Sequence, residues 1–367
     1  MHPTSARSAR RPAQARTGYR RHRGILALLA ALACLAGFAL AELTASPSGP
    51  ATSPPGTVTP GAATVTAGAN PAAPLQERLA AVSWPADGAS AADISGFGVV
   101  YGPGATRPVP IASVAKVMTA YVVLHDHPLS AGGSGPDIAV QPSEAAAYPS
   151  QARAGDSLVP VVAGEMLTER QALEALLLPS ADNMAWILAR WDAGSQAAFV
   201  ARMNATARRL GMTDTSYTDP SGLASSTVST AADQVRLGLA AMRVPALAAI
   251  AAKPTAVVPV AGVVRNYNTL LGQDGIVGLK TGSMQAAGGC VVIAAWRRVG
   301  SRSILIVAAT FGQPGTAQTI LPNALQAGHE LLFSLDRALG GSGRGSGPGR
   351  NASPPDGPLP QMSVTGP

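Results

Sequence analysis

The residue pair with the clearest potential for chemistry is Ser113 with Lys116, in the segment SVAK. Residues three apart on a helix share a face, so a serine hydroxyl and a lysine amine can come within hydrogen-bond distance. The segment SVAKVMTAYVVL is apolar on most faces and predicts a buried helix over 113–124. Burial lowers the pKa of a lysine amine, which lets the amine accept a proton from the serine. Ser113 is therefore a candidate nucleophile and Lys116 a candidate general base.

Lysine is rare in this chain. Lys and Arg together number 27, and the only lysines are Lys116, Lys253 and Lys280. Arginine stays protonated in proteins, whereas a buried lysine can lose its proton. Lys280 opens the sequence Lys-Thr-Gly at the end of a predicted strand. A cation and a hydroxyl followed by glycine suit a ligand that carries a carboxylate, because glycine lets a substrate backbone approach closely. Lys280, Thr281 and Gly282 are thus candidate binding residues, with a simple strand-end turn as the alternative.

A polar loop lies between these two motifs, with the sequence Ser-Ala-Asp-Asn at 180–183. It follows one predicted helix and precedes another, so one interpretation of Ser180 is a helix N-cap. The other interpretation places Ser180 in a site together with the two motifs already described. Ser-x-x-Lys, a Ser-x-polar loop and Lys-Thr-Gly, in that order, form the signature of penicillin-binding serine enzymes.

The resemblance extends well beyond these three motifs. The segments LLLPSADN, ARMNATARRLGMTDTSYTDPSGL, STAAD, NYNTLL and DGIVGLKTGSMQAAGGC are similar to those of serine-type D-alanyl-D-alanine carboxypeptidases, and the resemblance covers about 96–311. It implies a hydrolase that acts on peptidoglycan stem pentapeptides ending in D-Ala-D-Ala through an acyl-enzyme. It also implies that β-lactams inhibit the enzyme by acylating the same serine, and that no cofactor is needed.

The resemblance further implies a role for each matching residue. Ser113 would attack the carbonyl between the two D-alanines, and Lys116 would take its proton. The terminal carboxylate would bind to Lys280 and Thr281. The backbone N–H groups of Ser113 and Ser283 would form the oxyanion hole.

The second motif departs from the usual family pattern, Ser-x-Asn. Asp182 occupies the third position here, and Asn183 follows it. Ser180, with Asp182 or Asn183, would relay protons and hold the substrate amide. Either Asp182 replaces the usual amide, or the loop turns so that Asn183 is presented instead. A carboxylate at this place would change the charge near Lys116 and thereby its pKa.

Two alternative functions fit a chain with these motifs. A class A β-lactamase deacylates with a glutamate between the second and third motifs, and the sequence between Asn183 and Leu279 contains no glutamate. A non-catalytic protein that binds the cell wall with the same fold is the other alternative, although the candidate nucleophile and base are both present.

The order of the elements that position these residues predicts the fold. A strand pattern, GFGVVYG, lies near the start of the domain, and three more (IVGLKTG, GGCVVIAAW and SILIVAATFG) lie near its end. Helical patterns lie between them, two of them with capping signals at Thr168 with Gln171 and at Thr230 with Asp233. This order predicts an α+β fold in which an antiparallel sheet is flanked by helices, with a helical subdomain. The resemblance implies the same β-lactamase/transpeptidase-like fold.

The chain is predicted to divide into five parts. Residues 1–23 form a basic leader that we expect to stay in the cytoplasm, and 24–41 form an apolar signal peptide or membrane anchor. We expect 42–75 to be a disordered Pro/Thr-rich linker, 76–337 to be the serine DD-peptidase domain, and 338–367 to be a disordered tail. An extracytoplasmic location follows, either secreted or attached to the outer face of the membrane through the N-terminal segment.

Charge and residue usage exclude other functional classes. The formal net charge is +7, and seven arginines in the leader account for it, so the remainder is close to neutral. We therefore expect no nucleic-acid partner. Cys34 lies in the apolar segment and Cys290 is expected in the core, so no disulfide framework is predicted. The five histidines show no spacing typical of a zinc site, and we expect no metal.

Overall fold

The structure, a computed structural model, describes residues 74–340. The predicted leader, the apolar segment 24–41, almost all of the linker and nearly all of the tail lie outside these residues. Within the described part of the chain, no single helix is both long and apolar enough to cross a membrane. One bent pair of helices, 231–241 with 245–251, meets that criterion by length and composition only.

A five-stranded antiparallel sheet forms the centre of the domain. Its strands are β1 (Ala89–Ile94), β2 (Gly98–Tyr101), β9 (Ile276–Met284), β10 (Gly288–Val299) and β11 (Arg302–Gln313), and they lie in the order β2-β1-β11-β10-β9. Three short ladders pair β3 (Val109–Pro110) with β6 (Val228–Ser229), β4 (Asp137–Ala139) with β5 (Met166–Thr168), and β7 (Thr255–Val258) with β8 (Gly262–Arg265). The predicted sheet, built from both ends of the domain, is confirmed.

Nine α-helices lie within residues 74–340. They are α1 (Leu75–Ala80), α2 (Lys116–Asp126), α3 (Pro142–Ala154), α4 (Glu169–Leu177), α5 (Asp182–Ala193), α6 (Gln196–Arg209), α7 (Ala231–Ala241), α8 (Pro245–Ala251) and α9 (Ile320–Ala338). Helix α9 packs on one face of the sheet and α7 on the other, while α2 is packed among α4, α5, α6, α7 and α8. The predicted flanking helices and helical subdomain are therefore present.

The alternation of side chains along the central strands produces two core layers. Ile293 and Ile306 point into the layer shared with α9, whereas their neighbours Val292 and Val307 point into the larger layer that contains α2 and α7. Successive residues of a strand face opposite sides of the sheet, so apolar runs in β10 and β11 supply both layers. The sheet is thereby covered on both faces, and β2 and β9 are its two edge strands.

Local signals define the starts of two helices as predicted. The Thr168 hydroxyl accepts a hydrogen bond from the N–H of Gln171 at 3.2 Å, and the Gln171 side chain accepts one from the N–H of Thr168 at 3.0 Å. The Thr230 hydroxyl accepts from the N–H of Asp233 at 3.0 Å. These side chains satisfy N–H groups that have no partner inside the helix.

The central helix differs from its prediction at its first turn. Residues 112–115 form a 3₁₀ turn, and the α-helix begins only at Lys116. Ala112 has a φ of 47°, in the left-handed region, and Gly222 packs directly against its carbonyl oxygen. The chain thus turns sharply out of β3, which prevents an α-helical first turn at Ser113.

Close packing between α9 and the sheet gives a prediction about stability. A Cβ atom on Gly289 would lie 2.2 Å from the carbonyl oxygen of Ile320. Gly289→Ala should therefore displace the start of α9 and lower the free energy of unfolding by about 1–3 kcal/mol. Chemical denaturation of the full chain measures this change. Gly132→Ala, where an added Cβ meets nothing within 4 Å, is the matched control and should change stability by less than about 0.5 kcal/mol. Equal stabilities for the two variants would contradict the packing argument.

Candidate active site

Ser113 and Lys116 meet where β3 leads into the central helix. A 3₁₀ turn has three residues per turn, so side chains three apart lie directly above each other. The Nζ atom of Lys116 donates a hydrogen bond to the Oγ atom of Ser113 at 2.8 Å. The Ser113 residue is partly exposed, whereas Lys116 is 0% exposed. The hydroxyl can therefore meet a ligand while the amine is shielded from water.

Two further acceptors hold the amine of Lys116. It donates to Oδ1 of Asp182 at 2.6 Å and to the backbone carbonyl oxygen of Ser221 at 2.9 Å. Burial lowers the pKa of Lys116, and the charge and hydrogen bond of Asp182 oppose that shift in part. A lysine whose pKa lies below its ordinary value is a more accessible base at neutral pH.

The carbonyl of Ser221 is fixed by Asp219. Oδ2 of Asp219 accepts the hydroxyl of Ser221 at 2.6 Å and the N–H groups of Ser221, Gly222 and Leu223 at 3.1, 2.8 and 3.0 Å. Oδ1 accepts the hydroxyl of Thr227 at 2.5 Å. One carboxylate thus organises the whole turn. The sequence pattern around Asp219 does not by itself indicate a role in the site. The Asp-Pro-Ser-Gly sequence indicates a turn, but it does not show that the turn directs a carbonyl toward Lys116.

The hydroxyl of Ser180 is buried and has no hydrogen-bond partner among the described residues. Ser180 has a φ of 64°, and Ala181 occupies the N-cap position of α5 without a side-chain cap. The interpretation of Ser180 as an N-cap is therefore wrong. The left-handed backbone directs the chain so that its hydroxyl does not reach the helix N–H groups. A buried hydroxyl without a partner is costly to keep, and Ser180 is therefore free to bond to a ligand or another group of the site.

Asp182 and Asn183 point to different parts of the molecule. Asp182 contacts Lys116 through Oδ1 and accepts the N–H of Ser157 through Oδ2 at 3.0 Å. The side-chain amide of Asn183 donates to the carbonyl of Val159 at 2.8 Å and accepts the N–H of Val159 at 3.3 Å. Of the two, only Asp182 contacts the candidate base.

The third motif lies on the edge strand β9. Lys280 and Thr281 are 1% and 3% exposed, whereas Ser283 is exposed. The amine of Lys280 donates to the carbonyl of Thr281 at 2.9 Å. Burial lowers the pKa of Lys280 well below its ordinary value, and the nearby charge of Lys116 lowers it further. Lys280 is therefore a buried amine with an incomplete set of acceptors.

Gly282 allows β9 to pass directly beside the nucleophile. A Cβ atom at this position would lie 2.9 Å from the backbone nitrogen of Ser113 and 3.1 Å from that of Val114. The backbone of the third motif thus lies against the N–H groups at the start of the central helix. Such N–H groups can stabilise a negatively charged oxygen. Within residues 74–340, no three His, Cys, Asp or Glu side chains converge as metal ligands would.

The Asp219 turn gives a prediction about both stability and reactivity. Asp219→Asn replaces one acceptor oxygen with a donor group, which cannot satisfy the N–H and hydroxyl donors of the turn. We expect the free energy of unfolding to fall by about 1–3 kcal/mol. Because the carbonyl of Ser221 would lose its fixed position, labelling of Ser113 by a fluorescent penicillin should slow by roughly tenfold or more. Asp137→Asn, at an exposed position on β4, is the matched control. Unchanged stability and labelling in Asp219→Asn would contradict the assigned role.

Comparison with known proteins shows similarity over most of the domain. Residues 78–312 match the family described as D-alanyl-D-alanine carboxypeptidase. A D-alanyl-D-alanine endopeptidase of Pseudomonas aeruginosa is 34% identical over 227 residues, which cover 60% of this chain and 68% of the relative. The D-alanyl-D-alanine carboxypeptidase DacB2 of Mycobacterium tuberculosis is 37% identical over 204 residues, which cover 54% of this chain and 65% of the relative. The chain thus spans about two thirds of the length of these relatives.

Solved structures share the fold. A crystal structure of a D-alanyl-D-alanine carboxypeptidase from Mycobacterium tuberculosis superposes with a TM-score of 0.56 at 31% identity, covering 69% of this chain and 92% of that one. The DD-transpeptidase of Streptomyces K15 superposes with a TM-score of 0.59 at 24% identity, covering 69% of this chain and 98% of that one. The penicillin-binding, β-lactamase-like fold is confirmed. With the family match over most of the domain, this chain belongs to the D-alanyl-D-alanine carboxypeptidase family of serine peptidases.

Proposed function

We propose that this chain is a serine-type D-alanyl-D-alanine carboxypeptidase that hydrolyses the terminal bond of peptidoglycan stem pentapeptides. The observation that carries the proposal is the 2.8 Å hydrogen bond between the fully buried amine of Lys116 and the partly exposed hydroxyl of Ser113. A desolvated amine beside an accessible hydroxyl is the arrangement that nucleophilic acyl transfer requires.

Acylation begins when Lys116, in its neutral form, takes the proton of Ser113. The Oγ atom forms a bond to the carbonyl carbon between the two D-alanines, and the carbonyl oxygen becomes an oxyanion. The C–N bond then breaks, and the leaving D-alanine amine takes up a proton. We assign the relay of that proton from Lys116 to Ser180, whose buried hydroxyl has no other hydrogen-bond partner among the described residues. Water then adds to the acyl carbon, the C–Oγ bond breaks, and a proton from the water returns to Oγ of Ser113 as the shortened peptide leaves with a new carboxylate.

Substrate binding is assigned to the third motif. Lys280 and Thr281 would bind the terminal carboxylate, because Lys280 is a buried amine with an incomplete set of acceptors. Gly282 would let the substrate backbone lie close to β9. The N–H groups of Ser113 and Ser283 would bind the oxyanion. The side chain of Asn183 is already bonded to Val159, so we assign it to support of the second motif.

The relatives differ in the position of the peptide bond that their names say they cleave. One relative is named a carboxypeptidase and another an endopeptidase. A buried lysine at the third motif favours a substrate that ends in a carboxylate, and this favours carboxypeptidase action. The apolar segment 24–41 supports action outside the cytoplasm, with attachment to the membrane where that segment is retained.

The proposal predicts a covalent adduct on a single serine. Full-length protein incubated with a fluorescent penicillin should gain one stable adduct on Ser113, and it should release D-alanine from a peptide that ends in D-Ala-D-Ala. Ser113→Ala should lose both activities, because the acylated oxygen is absent. Ser301→Ala, at an exposed serine, is the matched control and should keep both.

Each alternative function gives a distinct result in the same assay. Consumption of penicillin without a stable adduct would indicate a β-lactamase. A folded protein that takes no label and releases no D-alanine would indicate a non-catalytic wall-binding protein. If a cross-linked peptide dimer is offered as a second substrate, its cleavage to monomers in preference to release of terminal D-alanine would indicate an endopeptidase.

The depressed pKa of Lys280 predicts a proton uptake on binding. Since burial lowers this pKa, and a bound carboxylate would raise it, binding of a D-Ala-D-Ala peptide to the Ser113→Ala variant should take up as much as about one proton near neutral pH. Calorimetry in two buffers with different ionisation enthalpies measures the uptake. A peptide with an amidated C-terminus serves as the control. Equal uptake for both peptides, or none for the acid, would contradict the assignment of Lys280.

A further inference from the structure

We propose that Asp182 is a positioning residue for Lys116. Its carboxylate fixes the orientation of the amine toward Ser113 and makes acylation dependent on the charge of that amine. The carboxylate does not bind the substrate. The inference rests on the proposed acyl-transfer function and assigns Asp182 a role within the same site. It also selects between the two residues that sequence analysis left open for the second motif.

Both carboxylate oxygens of Asp182 are already used by the protein. Oδ1 accepts the amine of Lys116 at 2.6 Å, and Oδ2 accepts the N–H of Ser157 at 3.0 Å. The Asp182 residue is 3% exposed. An ionised carboxylate has no hydrogen to donate, so it cannot hold the carbonyl oxygen of a substrate amide. These contacts favour a role toward Lys116 and Ser157 over a role toward substrate.

The number of hydrogens on the amine shows what the carboxylate achieves. A charged lysine has three N–H donors, and Lys116 has three acceptors in Ser113, Asp182 and Ser221. When the amine is neutral it has two hydrogens and one lone pair. Asp182 and the carbonyl of Ser221 can only accept, so both hydrogens point to them. The lone pair is left directed at the hydroxyl of Ser113, which is the geometry of a general base.

An asparagine at this position would remove that constraint. Its amide has both a donor and an acceptor, so the NH₂ group could donate to the lone pair of a neutral Lys116. The amine could then turn its lone pair away from Ser113. The departure from the usual Ser-x-Asn pattern therefore has a chemical consequence. The carboxylate restricts the orientation of the base, at the expense of favouring its charged form.

The charged groups around Lys116 determine the sign of the effect. The charges that act on the amine belong to Asp182 on α5, Asp219 in the turn before β6, Asp156 in the loop after α3, and Lys280 on β9, and among them Asp182 contacts the amine directly. Burial lowers the pKa of Lys116, and among the groups that raise it Asp182 is the largest and Asp156 the smallest. Removing the charge of Asp182 should therefore lower the pKa of Lys116 further. The amine would then be neutral, and able to act as a base, at lower pH.

The test is the pH dependence of acylation in the full chain. The rate of labelling by a fluorescent penicillin is measured from acid to alkaline pH for the wild type, Asp182→Asn and Asp156→Asn. The rate should fall toward acid pH as Lys116 becomes protonated, and this part of the profile is the acid limb. In Asp182→Asn we expect the midpoint of the acid limb to move down by about one pH unit or more. The plateau rate should fall by roughly tenfold or more, because the lone pair is no longer directed at Ser113. Asp156→Asn removes an equal charge without contact with Lys116, and should shift the acid limb less.

A conservative variant separates this role from a structural one. Asp182→Glu keeps an anion that can only accept, so its acid limb should stay near that of the wild type even if its plateau falls. Circular dichroism establishes that each variant is folded, and Asp182→Glu alone decides the question if Asp182→Asn does not fold. An acid limb in Asp182→Asn that stays at the wild-type position would overturn the proposal. So would an unchanged plateau, or a downward shift in Asp182→Glu.

Failure of the inference is distinguishable from failure of the proposed function. If the wild type gains no adduct on Ser113 and releases no D-alanine, the function itself is wrong. If the wild type is labelled on Ser113 and the acid limb of Asp182→Asn does not move, only the role of Asp182 is wrong.

Discussion

The amine of Lys116 is removed from water and is held by a hydroxyl, a carboxylate and a carbonyl oxygen from three distant parts of the chain. Burying an ammonium group without such partners costs several kcal/mol or more. The parts that supply Ser113, Asp182 and Ser221 must therefore be fixed with respect to one another. Much of the fold can be understood as the framework that meets this requirement.

Each of these parts is fixed by a different kind of interaction. The 3₁₀ turn that carries Ser113 follows from the left-handed backbone of Ala112, against which Gly222 packs. The Ser221 carbonyl is held by the carboxylate of Asp219. The sheet completes the site from the other side, because its strands β9 and β10 pack against the 3₁₀ turn and Gly282 of β9 lies beside the backbone nitrogen of Ser113. Backbone geometry, a polar turn and strand order thus together fix the surroundings of the Lys116 amine.

Strong local signals allowed much of this arrangement to be predicted from sequence. Capping residues marked the starts of α4 and α7, and runs of β-branched residues marked β9, β10 and β11. The strand 89–94 was missed because its sequence, ASAADI, is poor in β-branched residues and is buried at every position, so no alternation appears. Helix α3 was missed because it has no buried residue and contains Pro149, so its apolar periodicity is weak.

The details of the site depended on tertiary contacts that spacing does not encode. Sequence placed Ser113 and Lys116 three residues apart, and the structure brings their side chains together. It could not choose between Asp182 and Asn183, because only the folded chain shows that Asp182 contacts Lys116 while Asn183 contacts Val159. The role of Asp219 depends on a turn whose carbonyl meets a residue 105 positions earlier in the chain. The turn itself can be predicted from the sequence, but the residue that its carbonyl contacts cannot.

The scarcity of lysine makes the central claim directly measurable. The full chain contains three lysines, so ¹³C labelling at lysine Cε gives three NMR signals, which Lys253→Arg and Lys280→Arg assign. Titration of the signal of Lys116 reports the pKa of its amine. Because burial lowers that pKa, we predict a midpoint below the ordinary range for lysine. A midpoint at or above that range would contradict the account, since the amine would then be a permanently charged partner of Asp182 and not the base that activates Ser113.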